Sequence, residues 1–227
     1  MILAFAFLLL GSAQLAKKNL VPNGDFEKGK RAVPLHWQRP DGLCSFWVRD
    51  KKREGYCLKI DTDVLKDQYR ARQKELKKRP LAPPPKKKPT KGKKFLTVAA
   101  FEGVAYYSDW IAVKPNITYT LSVDVRVEKG RKTPKVFVKG YIEDKKRPPG
   151  YRRRVQYKKF LDCPASTEWK TFSMSFNPTS HTPKVKWIRV MLYAYWPPGT
   201  YYFDNVRVFP AEKEKAKKLS SKRKSKR

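Results

Sequence analysis

Apolar and polar residues alternate along much of the second half of the chain. The clearest case is 119–127, where an apolar set points one way and a polar set the other: Tyr119, Leu121, Val123, Val125 and Val127 against Thr120, Ser122, Asp124 and Arg126. The same period recurs over 136–142, 171–176 and 187–195. Successive side chains of a strand point to opposite faces, so each segment predicts a β-strand with one buried face.

Turn signals separate these segments. Lys114-Pro-Asn116, Arg147-Pro-Pro-Gly150 and Pro197-Pro-Gly199 are rich in residues that favour turns. Hydrophobic residues make up 40% of the chain and aromatic residues 13%, which supports a real core and favours strands. Many short strands without intervening helices predict an all-β domain, either a β-sandwich or a jelly roll.

One segment breaks the alternation. Residues 64–76 predict a short helix, with Leu65, Tyr69, Arg72 and Leu76 on one side, and a run rich in proline and lysine follows at 79–89. Three consecutive prolines favour an extended conformation. We interpret 66–94 as a basic insertion between two strands of one domain, because the chain before it is too short for a separate sandwich.

The formal net charge of +33 is concentrated in three stretches. Residues 66–94 contribute +11, residues 145–159 contribute +8 and residues 211–227 contribute +7, which together make +26. Such runs stay solvated and attract polyanions. The alternative is that the charge only keeps an exported protein soluble.

The first residues are typical of an export signal. An apolar run spans Ile2 to Leu10, and small residues suited to cleavage follow it. The run is shorter than the ~20 residues that a membrane-spanning helix needs. We therefore predict a signal peptide at 1–16, one domain at 17–210 and a disordered basic tail at 211–227. The predicted location is secreted, periplasmic or at the cell envelope. The alternative to a signal peptide is that the apolar run forms a buried N-terminal strand.

Two short phrases stand at opposite ends of the predicted domain. The opening phrase is Asn19-Leu-Val-Pro-Asn-Gly-Asp-Phe-Glu27, followed by Pro34 and Trp37, and the closing phrase is Tyr201-Tyr-Phe-Asp-Asn-Val-Arg-Val208. Together they resemble the family 4 and family 9 carbohydrate-binding modules. The resemblance implies a galactose-binding-like jelly roll over about residues 19–209 that binds β-linked polysaccharides and does not cleave them.

A sugar-binding face can be drawn from outward-pointing positions of four predicted strands. Sugar rings stack their C–H faces on aromatic rings, and their hydroxyls need planar polar partners. The candidate carbohydrate-binding residues are Trp110, Tyr141, Arg189, Tyr193, Tyr195, Asp124 and Arg126. In the resembling family the ligand lies across the concave sheet or in loops at the sandwich edge, and the sequence leaves both open. The alternative is that these aromatic residues pack beneath a loop or beneath the insertion.

The resemblance also implies a structural calcium ion where the first and last strands meet. Carboxylate and carbonyl oxygens are the ligands that calcium prefers. Glu27 and Asp204 stand in the two phrases that usually supply them, and Asp25 is the third candidate. The alternative is that Asp204 closes a turn and Glu27 pairs with a nearby lysine.

A cluster of arginines marks the basic stretch 145–159. Arg152, Arg153 and Arg154 stand between Tyr151 and Tyr157. A guanidinium group binds sulfate, phosphate or carboxylate through two hydrogen bonds, so these three residues are candidates for holding an anionic partner. Export favours an acidic or sulfated polysaccharide, or an anionic cell-surface polymer, over nucleic acid.

Three cysteines and two histidines limit the chemistry. Cys44 and Cys57 flank a predicted hairpin and could pair, leaving Cys163 free; the alternative is three reduced thiols. No Cys-x-x-Cys supports zinc, and the strands offer no matched carboxylates for glycoside hydrolysis. We predict a non-catalytic carbohydrate-binding protein. The alternatives are an envelope-associated interaction protein whose basic segments hold an anionic polymer, and an accessory or unrecognised glycoside-hydrolase-type enzyme.

Overall fold

The structure is a computed structural model that describes residues 18–128 and 133–211. The predicted signal peptide at 1–16, and the predicted basic tail apart from Ala211, lie outside these residues. Within the described ranges, no helix is long and apolar enough to cross a membrane.

Short strands dominate the described residues. The strands are β1 (Gly29–Lys30), β2 (Val33–Pro34), β3 (Ser45–Arg49), β4 (Tyr56–Asp61), β5 (Val104–Tyr107), β6 (Ile111–Ala112), β7 (Tyr119–Val127), β8 (Lys135–Glu143), β9 (Arg153–Asp162), β10 (Lys170–Phe176), β11 (Trp187–Ala194) and β12 (Thr200–Pro210). Helix α1 spans Lys66–Lys78, and two 3₁₀ turns lie at Lys94–Leu96 and Val98–Ala100. The four strands predicted from alternation are confirmed as β7, β8, β10 and β11.

Two antiparallel sheets form the body of the domain. Sheet I has the strand order β10-β7-β12-β4-β3, and sheet II has the order β5-β11-β8-β9, with β6 also paired to β11. The short hairpin of β1 and β2 stands apart from both. The predicted all-β jelly-roll sandwich is confirmed.

One hydrophobic core lies between the two sheets. Its members include alternate residues of β7 and β12 from sheet I and of β8 and β11 from sheet II: Leu121, Val123, Phe203 and Val208, with Val138, Ile188, Val190 and Leu192. The opposite residues of the same strands point away from this core, because side chains alternate along a strand. Each sheet therefore has an outer surface that is free to carry polar and aromatic groups.

The basic insertion is folded against the domain. The predicted helix is confirmed as α1, which begins two residues later than the pattern indicated. The Arg72 side chain is only 3% exposed. Its Nε donates to the Asp41 carbonyl at 2.8 Å, and its terminal nitrogens donate to the carbonyls of Ala82 and Pro83 at 2.9 and 3.0 Å. This one guanidinium joins the helix, the proline-rich run and the body of the domain.

The opening and closing phrases lie side by side, as their placement at the two ends of the domain predicted. The Asn19 side chain donates to the Val206 carbonyl at 3.0 Å and accepts from the Val208 N–H at 2.9 Å. The Val206 N–H donates to the Gly24 carbonyl at 2.7 Å. A Cβ at Gly24 would lie 1.9 Å from the Val206 carbonyl oxygen, so this close approach requires glycine. We call these contacts the clasp.

Of the two alternatives for the cysteines, three reduced thiols are observed, because Cys44 and Cys57 do not stand opposite each other. Cys57 pairs with Val48 in the β3–β4 hairpin, whereas the Cys44 carbonyl accepts from the Asp61 N–H at 2.8 Å. That offset of four residues corresponds to about 13 Å along a strand, well beyond disulfide reach. All three cysteines are free and buried, and burial raises the pKa of Cys57 and of Cys163 to about 12.

Candidate functional site

The outer surface of sheet II carries aromatic rings and cations side by side. Alternation on β8 and β11 places there Phe137, Lys139, Tyr141, Trp187, Arg189, Met191 and Tyr193. Strand β9 adds Arg153, Lys158 and Phe160, and the flanking segments add Tyr107, Trp110 and Tyr195. We call this surface the aromatic face.

One end of the aromatic face is built around Trp110. The Trp110 ring meets Tyr141 edge to face, with ring centroids 4.7 Å apart. The Arg153 guanidinium lies 4.4 Å from the Trp110 ring centroid and 5.0 Å from that of Trp187. Trp110 is 36% exposed, whereas Tyr141 is 9% exposed and its pKa is raised by burial. Trp110 is therefore the ring presented to solvent, and Tyr141 supports it.

The other end of the aromatic face is a second group of rings. Tyr193 and Tyr195 stack with centroids 5.6 Å apart, and Phe137 lies between Tyr193 and Phe160 at 5.8 and 5.4 Å. The Tyr193 hydroxyl donates to the Glu102 carbonyl at 3.0 Å, which fixes its orientation. Phe160 is 48% exposed and Phe137 only 7%. This end offers a broad apolar platform with hydroxyl groups at its border.

The predicted sugar-binding residues divide between the two sides of the sandwich. The structure brings together five of them on the aromatic face: Trp110, Tyr141, Arg189, Tyr193 and Tyr195. Asp124 and Arg126 lie instead on β7, in sheet I. The prediction that all seven share one surface is wrong, because β7 and β11 belong to different sheets and their outward residues point in opposite directions.

The outer surface of sheet I holds a network of ion pairs. Arg126 binds both Asp50 oxygens, at 3.0 and 2.7 Å, and both side chains are less than 10% exposed. The Asp50 carboxylate also accepts from the Trp169 indole at 2.9 Å. We call this surface, with Asp50, Arg53, Asp124, Arg126, Trp169, Tyr202 and Asp204, the paired face.

A second cluster on the paired face surrounds Arg53. One Arg53 nitrogen donates to Asp124 at 2.8 Å and to Asp204 at 2.9 Å. Burial opposes ionisation of Asp124, but hydrogen bonds from Thr171, Asn205 and Arg53 lower its pKa. Burial raises the pKa of Asp204 to about 6, because the Arg53 hydrogen bond offsets only part of the desolvation. The two carboxylates thus bind the same guanidinium group, but the pKa of Asp124 is lowered and that of Asp204 is raised.

The candidate calcium ligands have separate partners. The Glu27 carboxylate accepts from the Tyr56 N–H at 2.8 Å, Asp204 binds Arg53, and Asp25 is exposed. Within the described residues, no three histidine, cysteine, aspartate or glutamate side chains are grouped to hold a metal ion. The calcium site stays a prediction, which added calcium and a chelator test through the melting temperature.

The three arginines predicted to hold an anionic partner also divide. Arg153 and Arg154 are in strand β9, and Arg152 precedes it. Arg153 lies over Trp110 and Trp187, on the aromatic face. Arg154 pairs with Asp144 at 3.4 Å, and Arg152 donates to the Arg147 carbonyl at 3.4 Å. Of the three arginines, only Arg153 contacts the rings of the aromatic face.

Several residues of the aromatic face were missed as candidates. Phe137 and Lys139 alternate with the core residues of β8, and Trp187 does so on β11, so the period-two signal already placed them beside Tyr141 and Arg189. Lys158 and Phe160 gave a weaker signal, because the basic run around them resembles a loop. Tyr107 required the pairing of β5 with β11, which only the structure supplies.

Comparison with known proteins finds one family model that matches part of the chain. The family model for a carbohydrate binding domain matches residues 86–197, a stretch that contains every residue of the aromatic face. The resemblance to the family 4 and family 9 carbohydrate-binding modules is confirmed. Asp50, Arg53, Tyr202 and Asp204 of the paired face lie outside the match. No curated protein sequence matches the chain.

Solved structures share the fold at low sequence identity. The enzymatically active domain of tailspike protein 4 from bacteriophage CBA120 aligns with a TM-score of 0.52 and 9% identity, over 85% of this chain and 21% of that one. An arabinose-bound α-L-arabinofuranosidase gives 0.52 and 12%, over 85% of this chain and 26% of that one. A family 16 carbohydrate-binding module gives 0.48 and 16%, over 84% and 99%.

Proposed function

We propose that this chain, which carries the matched carbohydrate binding domain at residues 86–197, is an exported, non-catalytic protein that binds polysaccharide on its aromatic face. The observation that carries the proposal is the grouping of exposed rings and side-chain donors on one sheet surface within the matched stretch. The proposed location is outside the cell or at its envelope, where polysaccharides occur.

The layout of the aromatic face suits an extended ligand. Strand β11 has 8 residues, which at ~3.3 Å per residue gives a surface of about 26 Å along the strand. Trp110 stands towards one end, and Tyr193 and Tyr195 stand at the other. Between them lie Lys139 and Arg189, which donate hydrogen bonds. A sugar chain lying along the strands would meet a ring at each end and polar donors in the middle.

The test is the binding of soluble polysaccharides to a Trp110→Ala variant. We expect this change to weaken binding roughly tenfold or more, as for an aromatic residue that carries much of the binding energy. Trp196→Ala is the matched control, because Trp196 is also 36% exposed but stacks on Phe95, outside the aromatic face. Neutral β-glucan, neutral xylan and acidic polymers form the panel, and isothermal titration measures the affinity.

Two results would overturn this proposal. One is the absence of binding to every polysaccharide of the panel by the unaltered protein at moderate salt. The other is an equal loss of affinity in the Trp110 and Trp196 variants with both folds intact. Circular dichroism of each variant separates a lost contact from a lost fold.

A second candidate function is the holding of an anionic polymer or surface by the basic segments. The supporting observation is that α1 and the run after it are folded onto the domain and present exposed cations: Lys74, Lys77, Lys78, Lys86 and Lys88. This candidate predicts binding that does not depend on Trp110 and that disappears with added salt, because exposed charges are screened. The predicted acidic or sulfated character of the ligand is compatible with both candidates.

A further inference from the structure

A row of three cations crosses the middle of the aromatic face. Arg189 on β11 stands opposite Lys139 on β8, which stands opposite Lys158 on β9. Neighbouring strands lie ~4.8 Å apart, so the row covers about 10 Å across the sheet. We call these three residues the cation row.

The cation row is held in place by neutral groups. The Arg189 Nε donates to the Ser108 carbonyl at 2.7 Å, and the Lys139 Nζ donates to the Tyr107 hydroxyl at 2.9 Å. The Lys158 Nζ lies 4.9 Å from the ring centroid of Phe137. Carbonyl, hydroxyl and ring contact these cations without neutralising their charge.

No carboxylate in residues 18–128 and 133–211 forms an ion pair with a member of the cation row. Asp109 acts on Arg189 only through space, and it lies 3.2 Å from the His36 ring nitrogen instead. Burial lowers the pKa of Arg189, as expected for a cation without a bonded counter-ion. A half-buried cation such as Arg189 without a counter-ion is less favourable than an ion pair, and a ligand of opposite charge would supply the missing counter-ion.

Hydrophobic rings border the cation row on both sides. Towards one end lie Trp110 and Trp187, and towards the other lie Phe137 and Phe160. The Arg189 guanidinium also lies 4.8 Å from the Tyr107 ring centroid and 5.1 Å from that of Trp110. An anionic group bound at the row would therefore sit between surfaces suited to stacking on sugar rings.

We propose that the cation row selects a polysaccharide that carries acid groups, either carboxylates or sulfate esters, on sugars that cross the middle of the aromatic face. This inference rests on the proposed polysaccharide-binding function. Arginine pairs with carboxylate or sulfate through two hydrogen bonds, and the two lysines add single charge-assisted bonds. Neutral sugars would leave the three cations without a counter-ion and would bind less tightly.

The test compares polymers that differ only in charge. Polygalacturonate is compared with its fully methyl-esterified form, and dextran sulfate with dextran. The variant is Lys139→Met with Lys158→Met, which keeps two straight apolar side chains and removes two charges. Its control is Lys28→Met with Lys30→Met, which removes the same charge from exposed positions at the β1–β2 hairpin, outside both the aromatic face and the basic insertion. This control isolates the effect of the row from that of the total charge of +33.

We expect the unaltered protein to prefer one or both acidic polymers over their neutral forms. The row variant should lose about tenfold or more of that affinity for each lysine removed, as for a lost charge-assisted hydrogen bond, and the hairpin control should lose little. Preference for polygalacturonate identifies carboxylate as the recognised group, and preference for dextran sulfate identifies sulfate. Thermal unfolding of both variants checks that the fold is retained.

The outcomes separate this inference from the proposed function. Equal losses in the row variant and the hairpin control would overturn the inference, because total charge would then explain the binding. Equal or tighter binding of neutral polymers, unchanged in the row variant, would also overturn it and leave the proposed function standing. Failure to bind any neutral or acidic polymer would overturn both.

Discussion

The two outer surfaces of the sandwich both place arginines beside aromatic rings, but only one surface neutralises the charge. On the paired face, Arg126 lies 4.0 Å from the Tyr202 ring centroid and binds Asp50 through two hydrogen bonds. On the aromatic face, Arg189 lies over Tyr107 and binds a backbone carbonyl. An arginine beside an aromatic ring therefore has a carboxylate counter-ion on the paired face and only a neutral hydrogen-bond acceptor on the aromatic face.

This difference separates structural from functional use of charge. A buried cation that is bound by both oxygens of a carboxylate is already neutralised and does not require a ligand. Removing either partner of the pair destabilises the fold. A cation held by neutral groups keeps its charge available for binding.

The strongest test of the comparison removes one partner from each face. Asp50→Ala leaves Arg126, with a 7% exposed side chain, without its carboxylate, and we expect a loss of about 3–5 kcal/mol in the free energy of unfolding. Arg153→Ala removes an exposed cation from the aromatic face and should change that free energy by less than about 1 kcal/mol. Urea denaturation measures both, and similar losses for the two variants would remove the distinction between the faces.

The next test uses the acid side of the stability profile. The pKa of Asp204 is raised from 3.8 to about 6, so the folded state binds more protons than the unfolded state between about pH 4 and 6. The ionised carboxylate therefore lowers stability as pH rises through that window, by on the order of 2 kcal/mol. Asp204→Asn should flatten this part of the profile. Denaturation of both proteins at pH 4.5 and pH 7 measures the change, and an unaltered slope would contradict it.

The smallest effect on stability is expected from an exposed ion pair at the edge of the paired face. Lys52 binds Glu168, with side chains 45% and 69% exposed. Lys52→Ala should cost about 0–1 kcal/mol of unfolding free energy, and added salt should erase the difference from the unaltered protein. A larger loss that persists in salt would show that the paired face depends on its rim as well as on its buried pairs. Denaturation at low and high salt gives the answer.

The sequence predicted the sandwich and much of the aromatic face for a physical reason. Period-two alternation in β7, β8 and β11 reports which residues are buried, and that property is local to each strand. It placed Arg189 and Tyr193 outside the core correctly. The clasp was predictable because both phrases flank the same all-β segment.

Strand order is what the sequence did not supply. Asp124 and Arg189 both point outward, but the side of the molecule depends on which sheet contains their strands. That assignment is set by long-range pairing of β7 with β12 and of β11 with β8. The ion-pair partners of charged residues could not be predicted for the same reason, since Asp50 and Arg126 are brought together only by the fold. The sequence left open whether Cys44 and Cys57 pair, because hairpin register decides it.

The position of β12 has a consequence for how the domain forms during synthesis. Sheet I places β12 between β7 and β4, although β12 is the final strand of the sandwich in chain order. All the strands of sheet II precede it, so that layer is synthesised completely while sheet I still lacks its centre. A nascent chain at that stage exposes the unpaired edges of β7 and β4, which are open to pairing with other chains. The clasp joins residues that are 187 to 189 positions apart in the chain. When it closes, β12 is in place and the edges of β7 and β4 are no longer exposed.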